Sequence, residues 1–338
     1  MSHTKRITKK DCYYASGVLY WNKKTGEKRK KKHMKTMIVD IGSNTIKYDI
    51  FDPPCLNSIA HRSVAAGIIR YIENGSMTEQ GLETLCTILS SYRLDAEKTG
   101  CCMQVFATAS LRRVHDPMKV ICAVKERTDI QIDLISGQNE AALSLQGMLA
   151  ITPHEKRGLM MDMGGGSTEL NVFENDRSLF SVSMPFGALS LKNEFVKNIF
   201  PDKSEFGHIV DYASSVIKPY QTKILTDTLY MVGGSAKAFA KLLQYKMNLV
   251  PDENPTFDKK AVQSLADSLT TLSETDKELL ITMFPDRYHV ILPALAAYIA
   301  LIDNCSCQKI TVSKGGIREG RLITMITQEE NHERSGKI

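Results

Sequence analysis

Asp162-Met-Gly-Gly-Gly-Ser-Thr-Glu169 is the stretch on which the fold turns. The residues leading into it, Gly158-Leu-Met-Met-Asp162, are an apolar run that reads as a strand, and Glu169-Leu-Asn-Val-Phe173 reads as a strand coming back. Working outward toward the N-terminus, the same pattern stands about 122 residues earlier. There Met37-Ile-Val-Asp-Ile41 runs into a Gly42-Ser43-Asn44 turn and resumes as Ile46-Lys-Tyr-Asp-Ile-Phe51. Two copies of one unit, an apolar strand ending in Asp, a Gly/Ser/Thr turn and a returning strand, predict an internal duplication into two similar lobes.

The segments between the copies alternate in type. Thr78 to Leu94 has helical spacing behind a candidate N-cap, Cys102 to Ala107 is a short apolar strand, and a helix is expected near Ser110. Ile130 to Ile135 alternates like a strand, Ser136-Gly137 breaks it, and Asn139 to Leu149 reads as a helix. In the second half, strand Thr228 to Val232 meets a third glycine turn, Gly233-Gly234-Ser235, and helix Ala236 to Leu243 follows. Helices are expected over Asp258–Leu272 and Pro293–Ile302, then strand Lys309–Val312 and a final helix, Arg318–Ile326. Alternating strands and helices define an α/β chain. Its divisions are predicted as a basic extension over 1–36, an N-terminal lobe over 37–150 and a C-terminal lobe over 151–338, whose last helix is placed to return to the first lobe.

Composition narrows the function classes. A chain of 338 residues predicts about two domains, and 43% hydrophobic with 24% charged residues excludes a disordered or fibrous whole. The longest apolar run, Val290 to Ile302, has 13 residues, too few to cross a bilayer. With no secretory segment in the first thirty residues, a cytoplasmic protein is predicted. The eight cysteines include no C-x-x-C pair, which leaves no zinc or redox motif. Residues 1–36 hold twelve Lys or Arg against Asp11 and Glu27, a net +10 in a chain of net +5, so the remaining body stands at −5. The extension reads either as an upstream start or added leader, Met34 or Met37 serving equally well to begin the ordered part, or as an arm contributing weakly to polyphosphate or nucleic-acid attraction. Beyond that weak contribution no nucleic-acid partner is predicted, and no membrane.

A glycine-rich turn between strands lets successive N–H groups converge on a phosphate. One such turn is weak evidence, because glycine more often serves a hairpin's positive φ. Two matched turns, each preceded by Asp, point to a phosphate site between the lobes. Asp40 and Asp162 are the candidate ligands of a hydrated Mg²⁺, and Ser43, Thr45, Ser167 and Thr168 add hydroxyls.

The segments D40-I-G-S-N-T-I-K47, F106-A-T-A-S-L-R112, I135-S-G-Q-N-E-A141, D162-M-G-G-G-S-T-E-L170, P185-F-G-A-L-S-L191 and G316-I-R-E-G-R-L322 resemble the ordered motifs of the exopolyphosphatase and guanosine pentaphosphate phosphohydrolase family. The likeness covers about 37–326. That family belongs to the actin-like superfamily with hexokinases and seventy-kilodalton heat-shock chaperones, so it implies two duplicated actin-like, ribonuclease H-like lobes around a cleft. It also implies Mg²⁺-dependent hydrolysis of the terminal phosphoanhydride of polyphosphate or a guanosine polyphosphate. Glu140 matches the family's catalytic glutamate, the general base on the attacking water. Glu169 and Asp162 match positions near the water and metal, with Asp40 facing them. Gly42, Ser43, Asn44 and Thr45, with Gly164, Gly165, Gly166, Ser167 and Thr168, would cradle phosphate. Thr108, Ser110 and Arg112 line the same cleft, Arg112 as the polyanion's charge partner and Arg113 as its solvated neighbour. Gly233, Gly234 and Ser235 complete the phosphate-binding set. A homodimer is common in the family, though the pattern here does not demand one.

Two departures stand out. Where the family often has Arg-x-Asp, this chain has Arg287-Tyr288-His289, and Asn139 replaces a frequent acidic residue. Two rivals remain: a non-catalytic sensor of alarmone or polyphosphate, and an actin-like ATPase or small-molecule kinase in which Gly233 to Ser235 approach an adenosine.

Overall fold

In a computed structural model of the chain, the described residues are 20–21, 28–29 and 34–335. Most of the basic extension lies outside them. Within it, Tyr20–Trp21 and Lys28–Arg29 pair antiparallel.

The first sheet contains Thr36–Ile41 (β1), Ile46–Phe51 (β2), Ser58–Val64 (β3), Cys102–Ala107 (β4) and Ile132–Leu134 (β5), in the order β3-β2-β1-β4-β5. β3, β2 and β1 run antiparallel, while β1, β4 and β5 are parallel. The second sheet repeats this plan with Arg157–Met163 (β6), Thr168–Glu174 (β7), Arg177–Met184 (β8), Thr228–Val232 (β9), Thr256–Asp258 (β10) and Lys309–Val312 (β11), in the order β8-β7-β6-β9-β11-β10. Only the edge strand β10 is additional. The duplication predicted from the two turns is therefore a duplication of whole sheets, and the α/β class holds.

Helices cover both sheets. Glu79–Thr99 (α1), Ala109–Arg112 (α2), Pro117–Thr128 (α3) and Gly137–Ile151 (α4) belong to the first half; Ala188–Phe195 (α5), Lys203–Ile217 (α6), Gly234–Lys246 (α7), Lys259–Leu269 (α8), Glu274–Met283 (α9), Tyr288–Asn304 (α10) and Ile317–Ser335 (α11) belong to the second. Thr78 caps α1 by accepting from the Gly81 N–H, as its sequence position suggested. Ser136 does not simply break the chain: its Oγ accepts from the Asn139 N–H at 3.2 Å and starts α4. Among the described residues no helix is long and apolar enough to cross a membrane.

Strand alternation sets the direction of the two Asp residues. Met37, Val39 and Ile41 pack among α1 and α3, whereas Ile38 faces Leu143 of α4 and Leu322 of α11. In β6 the same parity holds, since Leu159, Met161 and Met163 enter the second core and Met160 meets Leu145 and Met148 of α4. Because successive side chains point to opposite faces, Asp40 shares its face with Ile38 and Asp162 with Met160. Both faces are covered by the crossing pair α4 and α11. These helices meet at glycines: a Cβ on Gly147 would lie 1.9 Å from the Gly316 carbonyl oxygen, and one on Gly320 would lie 1.9 Å from that of Leu143.

Candidate active site

The two predicted turns close alike. Gly42 N–H donates to the Thr45 carbonyl at 3.0 Å, and Gly164 N–H donates to the Ser167 carbonyl at 2.9 Å. The loop carbonyls are satisfied from elsewhere, Gly164 and Gly165 by the first amides of α5 and Asn44 by Gly67 N–H. The loops also touch: a Cβ on Gly165 would stand 3.4 Å from Ser43 Cβ, and one on Gly166 3.0 Å from Ser43 Oγ. Arg113, expected as the solvated neighbour of Arg112, instead donates to the Gly166 carbonyl at 3.0 Å and ties the first half to the second loop. Replacing Arg113 by Ala is expected to loosen that contact and raise protease sensitivity of the 163–168 loop, measured by limited proteolysis.

A cavity of about 1520 Å³ opens where the loops meet. Asp40, Asp162 and Glu140 are on its wall with Gly42, Ser43, Asn44, Thr45, Thr108, Gly164, Gly165, Ser167, Gly233, Gly234 and Ser235. Gly233 sits at φ +95°, and a Cβ there would press on Asp162 Oδ1 at 2.8 Å, so this turn needs glycine. Glu169 and Arg112 stand behind the wall. Ser110 and Thr168 are fully buried and their hydroxyls are already engaged, Ser110 with the Ile41 carbonyl at 3.2 Å and Thr168 with that of Phe186 at 2.7 Å. They hold the loops in place from behind. Ser43 Oγ, by contrast, is buried with no partner, as an atom awaiting a ligand would be.

Register explains the carboxylate cluster. Asp162 pairs across β6 and β7 with Glu169, and Glu169 pairs across β7 and β8 with Ser183, so all three share one face. Ser183 Oγ donates to Glu169 Oε1 at 2.9 Å, while Glu169 Oε2 is buried without a partner. The first turn of α4 lies over this face and delivers Glu140, whose Oε2 accepts from Arg112 Nη1 at 2.7 Å. Arg112 also donates to the Ile135 carbonyl at 3.1 Å and reaches to 4.0 Å from Glu169. Two buried carboxylates, Glu140 and Glu169, thus share one guanidinium. Burial first, then the Glu169 charge, push Glu140 well above the ordinary carboxylate range. Burial and the Asp162 charge push Glu169 up to about 7. Burial also raises Asp162, against a hydrogen bond from Ser144.

A carboxyl group whose folded pKa exceeds its unfolded value favours the fold at low pH and costs stability as pH rises through the folded value. Glu169→Gln is therefore expected to raise the melting temperature at pH 8 and leave it nearly unchanged at pH 5, as read by thermal denaturation.

The equivalent face in the first sheet is built with opposite charge. Asp40 pairs in register with Lys47, and Lys47 with Ser63. Lys47 lies 3.5 Å from Asp40, and Arg318 at the start of α11 lies 3.6 Å from it. Arg318 is also bound to Asp49, which accepts from His61 Nδ1 at 2.9 Å. Lys47, Lys237, Arg287 and Arg318 bring cationic heads to the cavity that the sequence reading did not assign. Lys47 had a usable signal, being the residue that aligns with Glu169 across the duplication.

Among the described residues no three His, Cys, Asp or Glu side chains converge on one point. Asp40 and Asp162, exposed to one cavity beside the unpartnered Glu169 Oε2 and Ser43 Oγ, fit a divalent ion that keeps most of its water.

Paired glycine-rich loops between duplicated sheets, with buried carboxylates at their junction, define a member of the actin-like fold. More particularly, the family model described as the Ppx/GppA phosphatase family matches residues 64–329, and the chain belongs to that family. Exopolyphosphatase 1 of Mycobacterium tuberculosis is 20% identical over 310 residues, covering 88% of this chain and 89% of that protein. Guanosine-5'-triphosphate,3'-diphosphate pyrophosphatase of Photobacterium profundum is 23% identical over 235 residues, 68% of this chain and 46% of that protein. The crystal structure of an exopolyphosphatase from Cytophaga hutchinsonii superposes with a TM-score of 0.77 at 20% identity, covering 87% of this chain and 98% of that one. A Ppx/GppA family member from Aquifex aeolicus gives 0.72 at 21% identity, covering 88% and 98%. The fold is thus that of the family, and the chain is a phosphatase of that family.

Proposed function

We propose that this protein is a Mg²⁺-dependent cytoplasmic hydrolase of the terminal phosphoanhydride bond of inorganic polyphosphate, guanosine pentaphosphate or both, built as lobes 37–150 and 151–338 around the cleft. The observation that carries the reading is Glu140, a buried carboxylate on the cavity wall, held by Arg112 and raised in basicity by its surroundings. A carboxylate in that state at neutral pH accepts a proton from water more readily than an ordinary surface glutamate. Arg112 fixes the direction of its lone pairs. The N–H groups of residues 43–45 and 165–167 orient the terminal phosphoryl group, and the unpartnered Ser43 hydroxyl is free to donate to one of its oxygens. Asp40 and Asp162 would hold Mg²⁺, which would supply neutralisation of the phosphate charge.

The chemistry asks for positioning and charge more than covalent participation, which this set provides. A non-catalytic sensor has less need of a buried base behind the phosphate loops. The test is phosphate release, with Mg²⁺, from tripolyphosphate, long-chain polyphosphate, guanosine pentaphosphate and ATP. Release from the first three with little from ATP is the expected result. Binding without release from any of them would replace the hydrolase by a sensor, and phosphate transfer only to an added acceptor would make it a kinase. As the base must be ionised to act, turnover is expected to fall as pH drops, and Glu169→Gln to shift that acid limb downward by removing a charge that raises Glu140.

A further inference from the structure

A second cavity, of about 1280 Å³, adjoins the first and shares Asn44, Leu189 and Asp286 with it. It is a groove running from the rim of the 42–45 phosphate loop between the start of α6 and the α8–α9 turn. Arg70, Lys192, Lys197 and Lys203 line it, and none of the four has an ion-pair partner among the described residues. Four carboxylates share the groove, and two of them are engaged. Asp202 caps α6 by accepting from Glu205 N–H at 2.8 Å, and Glu274 pairs with Lys277 at 2.6 Å, leaving Glu278 and Asp286. At the inner end His289 sits half-buried among Lys192, Arg70 and Arg287, whose charges, after burial, push its pKa down. Two of the four loose cations, Arg70 and Lys192, therefore stand where the groove enters the cleft.

We propose that this groove is a subsite for the inorganic polyphosphate chain beyond the cleaved bond, holding internal phosphates by Arg70 and Lys192 at its mouth and by Lys197 and Lys203 farther out. It rests on the reading of the cleft as a polyanion hydrolase site. A chain carrying a charge on every phosphate gains from a row of unpaired cations, whereas tripolyphosphate is too short to occupy cleft and groove together. The contribution is ionic and falls with added salt.

The test uses the full chain with the double variant Arg70→Ala/Lys192→Ala, and Lys197→Gln/Lys203→Gln as a second variant should the first fail to fold. Equilibrium binding and turnover are both measured with long-chain polyphosphate, tripolyphosphate and guanosine pentaphosphate at low salt. The expected result is a KM and dissociation constant for the long chain raised about tenfold, with the two short substrates within about twofold of wild type. Equal losses on all three, or no loss on the long chain, would overturn the groove. If the wild type turns over none of them, binding decides: selective loss of long-chain binding keeps the subsite and removes the hydrolase, and a wild type that binds the long chain no more tightly than tripolyphosphate removes the subsite.

Discussion

Glu140→Gln is expected to lower turnover by about a hundredfold or more, the usual contribution of a positioned general base, while leaving substrate binding and the fold in place. The amide is isosteric, and its oxygen still accepts from Arg112, so the contact that anchors the first turn of α4 survives. It also removes an ionisable group from a site where burial and Glu169 oppose its charge, so the melting temperature at neutral pH should not fall. Single-turnover phosphate release beside a thermal melt separates the two effects. Near-normal turnover in a folded variant would remove Glu140 from the mechanism and leave the raised basicity of the pocket without a catalytic purpose.

The largest effect on stability is expected at the crossing of α4 and α11. In an exposed helix, Gly→Ala stabilises by up to about 1 kcal/mol. At Gly320 the sign reverses, because the new methyl would occupy the place of the Leu143 carbonyl oxygen, and backbone cannot swing aside as a flexible side chain does. Gly320→Ala should cost roughly 2–3 kcal/mol, and Gly147→Val more, by the overpacking that close helix contact does not tolerate. Gly207 in α6 is the control, since a Cβ there meets nothing within 4 Å and the substitution should be neutral or stabilising. Chemical denaturation of the three variants checks the ranking. Because α4 carries Glu140 and α11 carries Arg318 in their first turns, any Gly320 variant that still folds should also lose turnover. Comparable stability of Gly320→Ala and Gly207→Ala would show that the helices have room to part.

The strands bearing Asp40 and Asp162 were legible because they are buried on both faces and read as continuous apolar runs. β3 was not: Ser58 to Arg62 and Ser63 are exposed, and an exposed strand carries little apolar alternation to detect. β8 escaped notice for a related reason, its first three residues being exposed. Pro293 looked like a helix start, yet α10 begins at Tyr288 and continues through it, the surrounding apolar core outweighing the lost N–H. For the site, the turns and Asp residues came from local pattern, and Glu140 from family likeness. Arg318 had no local signal for its position, because its partner Asp49 is 269 residues away in the chain. Arg112 read as the polyanion's charge partner and Arg113 as its solvated neighbour, whereas the fold sends one to Glu140 and the other to Gly166.

The lysine and glutamate that occupy matching register positions in the two sheets give the cleft a polarity. A linear polyphosphate is the same read from either end, and a cleft between two identical lobes would accept it in either direction. Here one lobe presents Asp40 already neighboured by Lys47, while the other presents Asp162 beside a second acid, Glu169. For the substrate proposed, the two ends of the binding path are thereby unlike, and only one of them carries the base. On that proposal, a molecule with no direction of its own is read in a single direction because the residue opposite the Asp is Lys47 in one strand pair and Glu169 in the other.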